Sequence, residues 1–211
     1  MNKQVLIAIV LLLGVAALLL TVIGRPLNTK NQAASSAAPA TAVSEEEESA
    51  GEEETAGIRR DAFVAAARAP RAPALSQGTW INSEPLKLEA LRGRVVVVDF
   101  WTFGCYNCRN TLPTLKNWDA KYRDKGLTIV GVHTPESGYE KDLGNIRRAV
   151  REQNLRYPVV TDLNGDTWRA YGIEAWPTTV IVDKQGRVRF THIGEGMYDQ
   201  MDRVIQKLLA E

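Results

Sequence analysis

The chain has 211 residues, 45% of them apolar and 24% charged, with a net charge of +1. That length suits one ordinary domain with additional segments rather than two full-sized ones. The balanced charge leaves no electrostatic footprint for a nucleic-acid partner, and two cysteines are too few for a disulfide-stapled secreted scaffold.

Residues 1–25 read as an N-terminal membrane anchor. The run VLIAIVLLLGVAALLLTVI over residues 5–23 carries no charge. As a helix rising ~1.5 Å per residue it would span ~28 Å, about one hydrocarbon core. It is longer than the apolar region of a secretory signal, and Val22-Ile23-Gly24-Arg25-Pro26 is a poor cleavage site, so an uncleaved anchor is expected. Lys3 on one side and Arg25 and Lys30 on the other leave its orientation open. Residues 26–74 read as a disordered linker. Its stretch 31–57 is Ala/Ser-rich and then Glu-rich, with Glu45 to Glu48 and Glu52 to Glu54 repelling one another. Within the linker, IRRDAFVAAARA over 58–69 has the pattern of a short amphipathic helix that Pro70 and Pro73 would end.

Residues 75–211 read as the globular domain. The apolar run Val95–Trp101, broken only by Asp99, predicts a strand buried on both faces. A helix is expected over 106–125, closed by Gly126, then a second buried strand over Leu127–His133. A helix over 139–154, a short strand over Tyr157–Thr161 and a short helix over 165–171 follow. Thr178–Asp183 and Arg187–Ile193 read as strands joined at Lys184-Gln185-Gly186, a hairpin signal, and a last helix is expected over 197–210. This order predicts an α/β fold with a mixed central sheet flanked by helices, its early strands parallel with right-handed crossovers.

Cys105 and Cys108 lie two residues apart, at the end of the loop after the first buried strand and in the first turn of the next helix. A thiol at a helix N-terminus sits among unpaired N–H groups, which favour thiolate over thiol. Cys105 can then attack a disulfide, and Cys108, one turn on, can resolve the mixed disulfide. Asp99 inside the buried strand has few ways to be solvated, so its pKa is expected to rise. It would accept the Cys108 proton during resolution, or else simply hydrogen-bond a neighbour. Pro113 should kink the first helix. A zinc site needs four ligands; the other candidates, His133 and His192, fall on separate strands where packing explains them. An inert staple across three residues would restrain the unfolded chain little. Redox exchange is the expected role, with no metal and no cofactor.

Asp99-Phe100-Trp101, Cys105-Tyr106-Asn107-Cys108, Pro113 and Trp176-Pro177-Thr178 together resemble the thioredoxin superfamily. The layout of anchor, linker and one such domain is similar to the membrane-tethered TlpA-like thiol–disulfide oxidoreductases. Trp80 to Ser83, Leu88 to Gly93, VVDFWTFGCYNCRNTLP, GLTIVGVHTPE, TWRAYG and IGEG resemble more closely the thioredoxin-like domain of DipZ-type cytochrome c biogenesis proteins. The resemblance implies a thioredoxin-like fold with a cis Trp176–Pro177 peptide facing the cysteines. It implies Cys105 as the attacking and Cys108 as the resolving thiol, Asp99 at the buried acidic position, and a domain outside the cytoplasmic membrane. Trp176, Pro177, Tyr106 and Asn107 are the candidate substrate-binding residues. Three departures stand out. Thr111 occupies the position where many TlpA-like reductases carry a glutamate, Tyr-Asn separates the cysteines, and the chain has one span at most.

The expected protein is a single-pass inner-membrane thiol–disulfide oxidoreductase with its catalytic domain in the periplasm. It would act on protein thiols and disulfides, with reduction as the expected direction and oxidation or isomerisation left open because the Tyr-Asn pair between the cysteines tunes the redox poise. In the reducing direction apocytochrome c is a substrate by analogy and a separate membrane protein the electron donor. Peroxide reduction is the alternative chemistry: Thr102 lies three residues before Cys105, although the proline of such sites is missing. A non-catalytic binding domain is the third reading. In the loop after the second strand, Glu136 is expected to cap the loop rather than to contact substrate.

Overall fold

The computed structural model describes residues 61–211. The expected anchor over 1–25 and the linker up to residue 60 lie outside the described residues. Among the described residues, no helix is long and apolar enough to cross a membrane. In chain order the elements are β1 (Trp80–Ile81), β2 (Val95–Trp101), α1 (Tyr106–Tyr122), β3 (Leu127–His133), α2 (Leu143–Glu152), β4 (Val159–Thr161), α3 (Asp166–Ala170), β5 (Thr178–Val182), β6 (Val188–Ile193) and α4 (Tyr198–Ala210).

The strands form one six-stranded sheet in the order β1-β4-β3-β2-β5-β6. β2 runs parallel to β3, and β3 to β4, while β5 and β6 are added antiparallel on the other side. The continuous apolar run of β2 follows from this central place, because each of its faces has a layer to fill. Val95, Val97 and Trp101 pack with Leu112, Leu115 and Trp118 of α1 and with Met201, Ile205 and Leu208 of α4. Val96, Val98 and Phe100 point the other way, into a core shared with Tyr171 and Ile173 after α3 and with Leu75 and Leu88. β2 has a parallel neighbour on one side and an antiparallel one on the other. The loop carrying Cys105 leaves β2 at its carboxyl end.

The strands expected at 95–101 and 127–133 have those bounds, and α1 passes into a 3₁₀ turn (Arg123–Lys125) that Gly126 closes at a φ of 102°. The helix expected over 139–154 is divided. A 3₁₀ turn at Gly138–Lys141 precedes α2, which starts afresh because the Asp142 carboxylate caps the Asn145 N–H at 2.8 Å. β4 begins only at Val159, after Pro158, which has no N–H to give a ladder. β1, too short to show a period, pairs antiparallel with β4 at the sheet's edge.

Residues 61–74 differ most from the expectation. The sequence pattern puts them in the linker, with a helix over 58–69; among the described residues the helical part is a single 3₁₀ turn at Ala66–Arg68. The rest runs along the outer edge of β6. The N–H groups of Asp61 and Val64 donate to the carbonyls of Thr191 and Arg189, each at 2.8 Å, and Val188 donates to Pro70 at 2.8 Å. Phe63 lies under the Arg189 guanidinium at 4.6 Å and the Lys207 ammonium at 4.0 Å. The Asp61 carboxylate meets His192 Nδ1 at 2.6 Å. An open strand edge with unpaired backbone groups outweighs the weak helical preference of an alanine-rich stretch.

Candidate active site

Cys105 is the N-cap of α1. Its Sγ accepts the Cys108 N–H at 3.2 Å, which satisfies one of the orphan donors of the first turn. The two cysteines are joined as a disulfide across a Cα separation of 5.3 Å. Their environments are unequal: Cys105 is half-buried, whereas Cys108 is 1% exposed and packs into the core between α1 and the sheet. A nucleophile coming from solvent or a docked chain can therefore reach Cys105 and not Cys108.

Asp99 is fully buried in β2. Strand alternation puts it on the face of Val97 and Trp101, the layer that holds Cys108. The Thr179 hydroxyl donates to its Oδ1 at 3.4 Å. Burial pushes the carboxyl up to about 7, against the smaller opposing pull of that hydroxyl. Asp99 is thus divided between acid and carboxylate near neutral pH, as a group that takes and returns a proton must be.

Trp176 and Pro177 precede β5. The Trp176–Pro177 peptide is cis, Pro177 is buried, and Trp176 is half-buried against the same core as Cys105. The indole of Trp176 also packs on that of Trp168, with ring centroids 4.3 Å apart. Tyr106 and Asn107 stand exposed on the first turn of α1, Tyr106 being 68% exposed, with the Arg109 guanidinium 5.9 Å from its ring. The structure thus gathers Cys105, Cys108, Asp99 and Trp176 around one core layer and sets Tyr106 and Asn107 facing solvent. Thr111 is buried and turns its hydroxyl back to the Asn107 carbonyl at 3.2 Å.

Two buried residues to which the sequence pattern assigns no functional role, His133 and Glu140, meet the Cys105 loop through Thr102, Phe103 and Gly104. His133, at the end of β3, is fully buried and stacks on Phe103 with centroids 5.4 Å apart. Its Nε2 lies 3.3 Å from the Thr102 hydroxyl. Burial pulls its imidazole down to about 4, with the Glu140 charge opposing. Glu140, 4% exposed, accepts the Gly104 N–H on Oε1 at 3.0 Å, and the Glu136 and Ser137 N–H groups on Oε2 at 2.7 and 2.9 Å. Burial works against its charge, but these donors and the Thr102 hydroxyl outweigh it and hold the carboxyl below its ordinary value. The spacing Ser137-x-x-Glu140 is a capping-box signal that the sequence carried. Nothing in the sequence indicated that its second oxygen would reach Gly104. Glu136 is exposed and enters this network through its backbone N–H.

Residues 68–191 match the AhpC/TSA family. Over 135 residues, 63% of this chain, the sequence is 38% identical to the protein DipZ of Mycobacterium bovis, and the match spans 19% of that protein. It is 25% identical over 144 residues to the thiol-disulfide oxidoreductase YkuV of Bacillus subtilis, covering 68% of this chain and 97% of that one. A crystal structure of a thiol:disulfide interchange protein of the thioredoxin family from Chlorobium tepidum superposes with a TM-score of 0.58. It is 26% identical and covers 69% of this chain and 99% of that one. The described domain thus has the thioredoxin-like fold that its motifs implied.

Proposed function

The chain belongs to the AhpC/TSA family, and from that membership and its unequal cysteine pair we propose that it works as a thiol–disulfide oxidoreductase on protein cysteines. The carrying observation is the Cys105–Cys108 disulfide at the start of α1, with one sulfur reachable and the other buried. In the reducing direction the Cys105 thiolate attacks one sulfur of a substrate disulfide. A mixed disulfide forms and one substrate thiolate leaves. Cys108 then gives its proton to the Asp99 carboxylate and attacks Cys105 Sγ. The Cys105–Cys108 disulfide closes and the second substrate thiolate departs. Two electrons have passed to the substrate, and a separate thiol donor must return the pair to its reduced form.

We read residues 1–25 as an anchor that holds this domain outside the cytoplasmic membrane, with a membrane protein as the donor and apocytochrome c as a candidate substrate. The uncharged run of residues 5–23 supports the anchor, and the likeness to DipZ supports the pathway. Peroxide reduction draws support only from Thr102, three residues before Cys105, and the Thr102 hydroxyl is engaged by His133 and Glu140.

The test is a redox titration of the full chain against glutathione and dithiothreitol buffers. A midpoint near or below ~−270 mV with rapid exchange is expected; one near ~−120 mV would reverse the direction to disulfide formation. Cys105→Ser should abolish capture of a mixed-disulfide partner. A folded chain whose pair fails to equilibrate with either buffer would overturn the reading, as would peroxide consumption outpacing disulfide exchange.

A further inference from the structure

Glu140 joins two loops at the active-site end of the sheet, and the exchange steps above make no use of it. One of its oxygens closes the turn after β3 through Ser137 and Glu136; the other takes the Gly104 amide, one residue before Cys105. A Cβ at position 104 would overlap Glu140 Oε1, so glycine is what lets the carboxylate lie against this stretch. The loop is gripped further by the Cys105 N–H, which donates to the Thr102 carbonyl at 3.3 Å. Phe103 is held between His133 at 5.4 Å and Tyr139 at 5.8 Å. A carboxylate with this many donors, almost out of reach of water, is a fixed negative charge.

We propose that Glu140 is a positioning residue for thiol exchange: it locks Gly104 so that Cys105 stands at the N-cap of α1, and its charge disfavours the Cys105 thiolate. This rests on the reading of Cys105 as the attacking thiol. A disulfide carries no charge and a thiolate does. A fixed anion beside the loop therefore raises the free energy of the reduced form selectively and makes the pair a better reductant. Of the other titratable groups on the elements beside Cys105, Arg109 on α1 lies over the Tyr106 ring, Asp99 on β2 lies in the core layer of Cys108, and burial lowers His133 on β3.

The experiment measures the rate of iodoacetamide alkylation of Cys105 against pH in the chemically reduced full chain, together with its exchange equilibrium with glutathione. Glu140→Gln should lower the alkylation midpoint by about half a pH unit, about threefold in thiolate at a fixed lower pH. It should move the exchange equilibrium toward the dithiol by about the same factor. Glu140→Asp, which keeps the charge, should return the midpoint toward the wild-type value. Loss of stability alone would leave the midpoint where it is, so an unmoved midpoint in folded Glu140→Gln protein overturns the proposal. If that variant does not fold, Gly104→Ala displaces the carboxylate while the Cys105 N–H still holds the Thr102 carbonyl and keeps Cys105 at the N-cap, and the same lowering is required of it. Failure of the exchange reading would show separately, as a wild-type pair that does not equilibrate with glutathione. The alkylation midpoint reports the effect of the Glu140 charge on Cys105 independently of that result.

Discussion

Asp99 stands in a layer made of Val97, Trp101 and Cys108, where a charged carboxylate has a cost that can be measured. Its carboxyl is pushed up to about 7 by burial, while in the unfolded chain it titrates near ~4. Between those values the folded state keeps a proton that the unfolded state has released, so this residue makes stability fall as pH rises from about 4 to about 7. Asp99→Asn should remove that slope. It should raise the stability of the oxidised protein at pH 8 by on the order of 2–4 kcal/mol, read from urea unfolding, because roughly three pH units are worth about 4 kcal/mol at most. The same variant should slow release of substrate from Cys105 near neutral pH, since the Cys108 proton has lost its acceptor. A variant no more stable than wild type at pH 8 would mean that the carboxyl is not desolvated. The sequence made Asp99 legible because a lone acid stood inside an apolar run. Glu140 was not legible, since its burial depends on where a loop 36 residues upstream happens to pass.

Among the elements, the β5–β6 hairpin is held by one carboxylate. Asp183 Oδ1 accepts the N–H groups of Gln185 and Arg187 at 3.0 and 2.8 Å. Its Oδ2 meets Arg187 Nε at 3.0 Å and Arg189 Nη1 at 3.1 Å. Arg189 is 2% exposed, so its charge relies on Asp183 and on the Glu211 carboxylate at 2.8 Å. Asp183→Ala should cost about 3–5 kcal/mol in chemical denaturation, the range for stripping one partner from a buried ion pair. A loss below about 1 kcal/mol would mark the network as surface-like. The turn at Lys184-Gln185-Gly186 was readable from sequence, as were β2, β3 and α4, because burial on one or two faces imposes a period. The break between Gly138–Lys141 and α2, the two-residue β1 and the course of residues 61–74 were not. The break is decided by local caps, Asp142 on the Asn145 N–H and Glu140 on Ser137, that override a continuous helical pattern. β1 and the edge segment are decided by pairing with distant partners.

For the molecule as a whole, two buried groups on adjacent strands work against each other. His133 is held down at about 4 by burial, so the unfolded chain binds a proton below ~6.5 that the folded chain refuses. Its contribution makes stability rise with pH from about 4 to about 6.5, opposite to that of Asp99. Wild-type stability should therefore vary little across that interval as far as these two groups set it. Asp99→Asn should expose a rising slope there, and a profile as flat as the wild type's would refute the pairing. The segment from Asp61 to Ala72 has a different consequence. It occupies the outer edge of β6, whose backbone would otherwise be free to recruit a strand from another molecule. A chain begun at residue 75, where composition alone would put the domain boundary, would retain both cysteines and the Asp99 layer. It should nevertheless self-associate as its concentration rises, as light scattering would register, whereas one begun at residue 58 should not. The stretch that reads as spacer is, for this fold, its protection against polymerising.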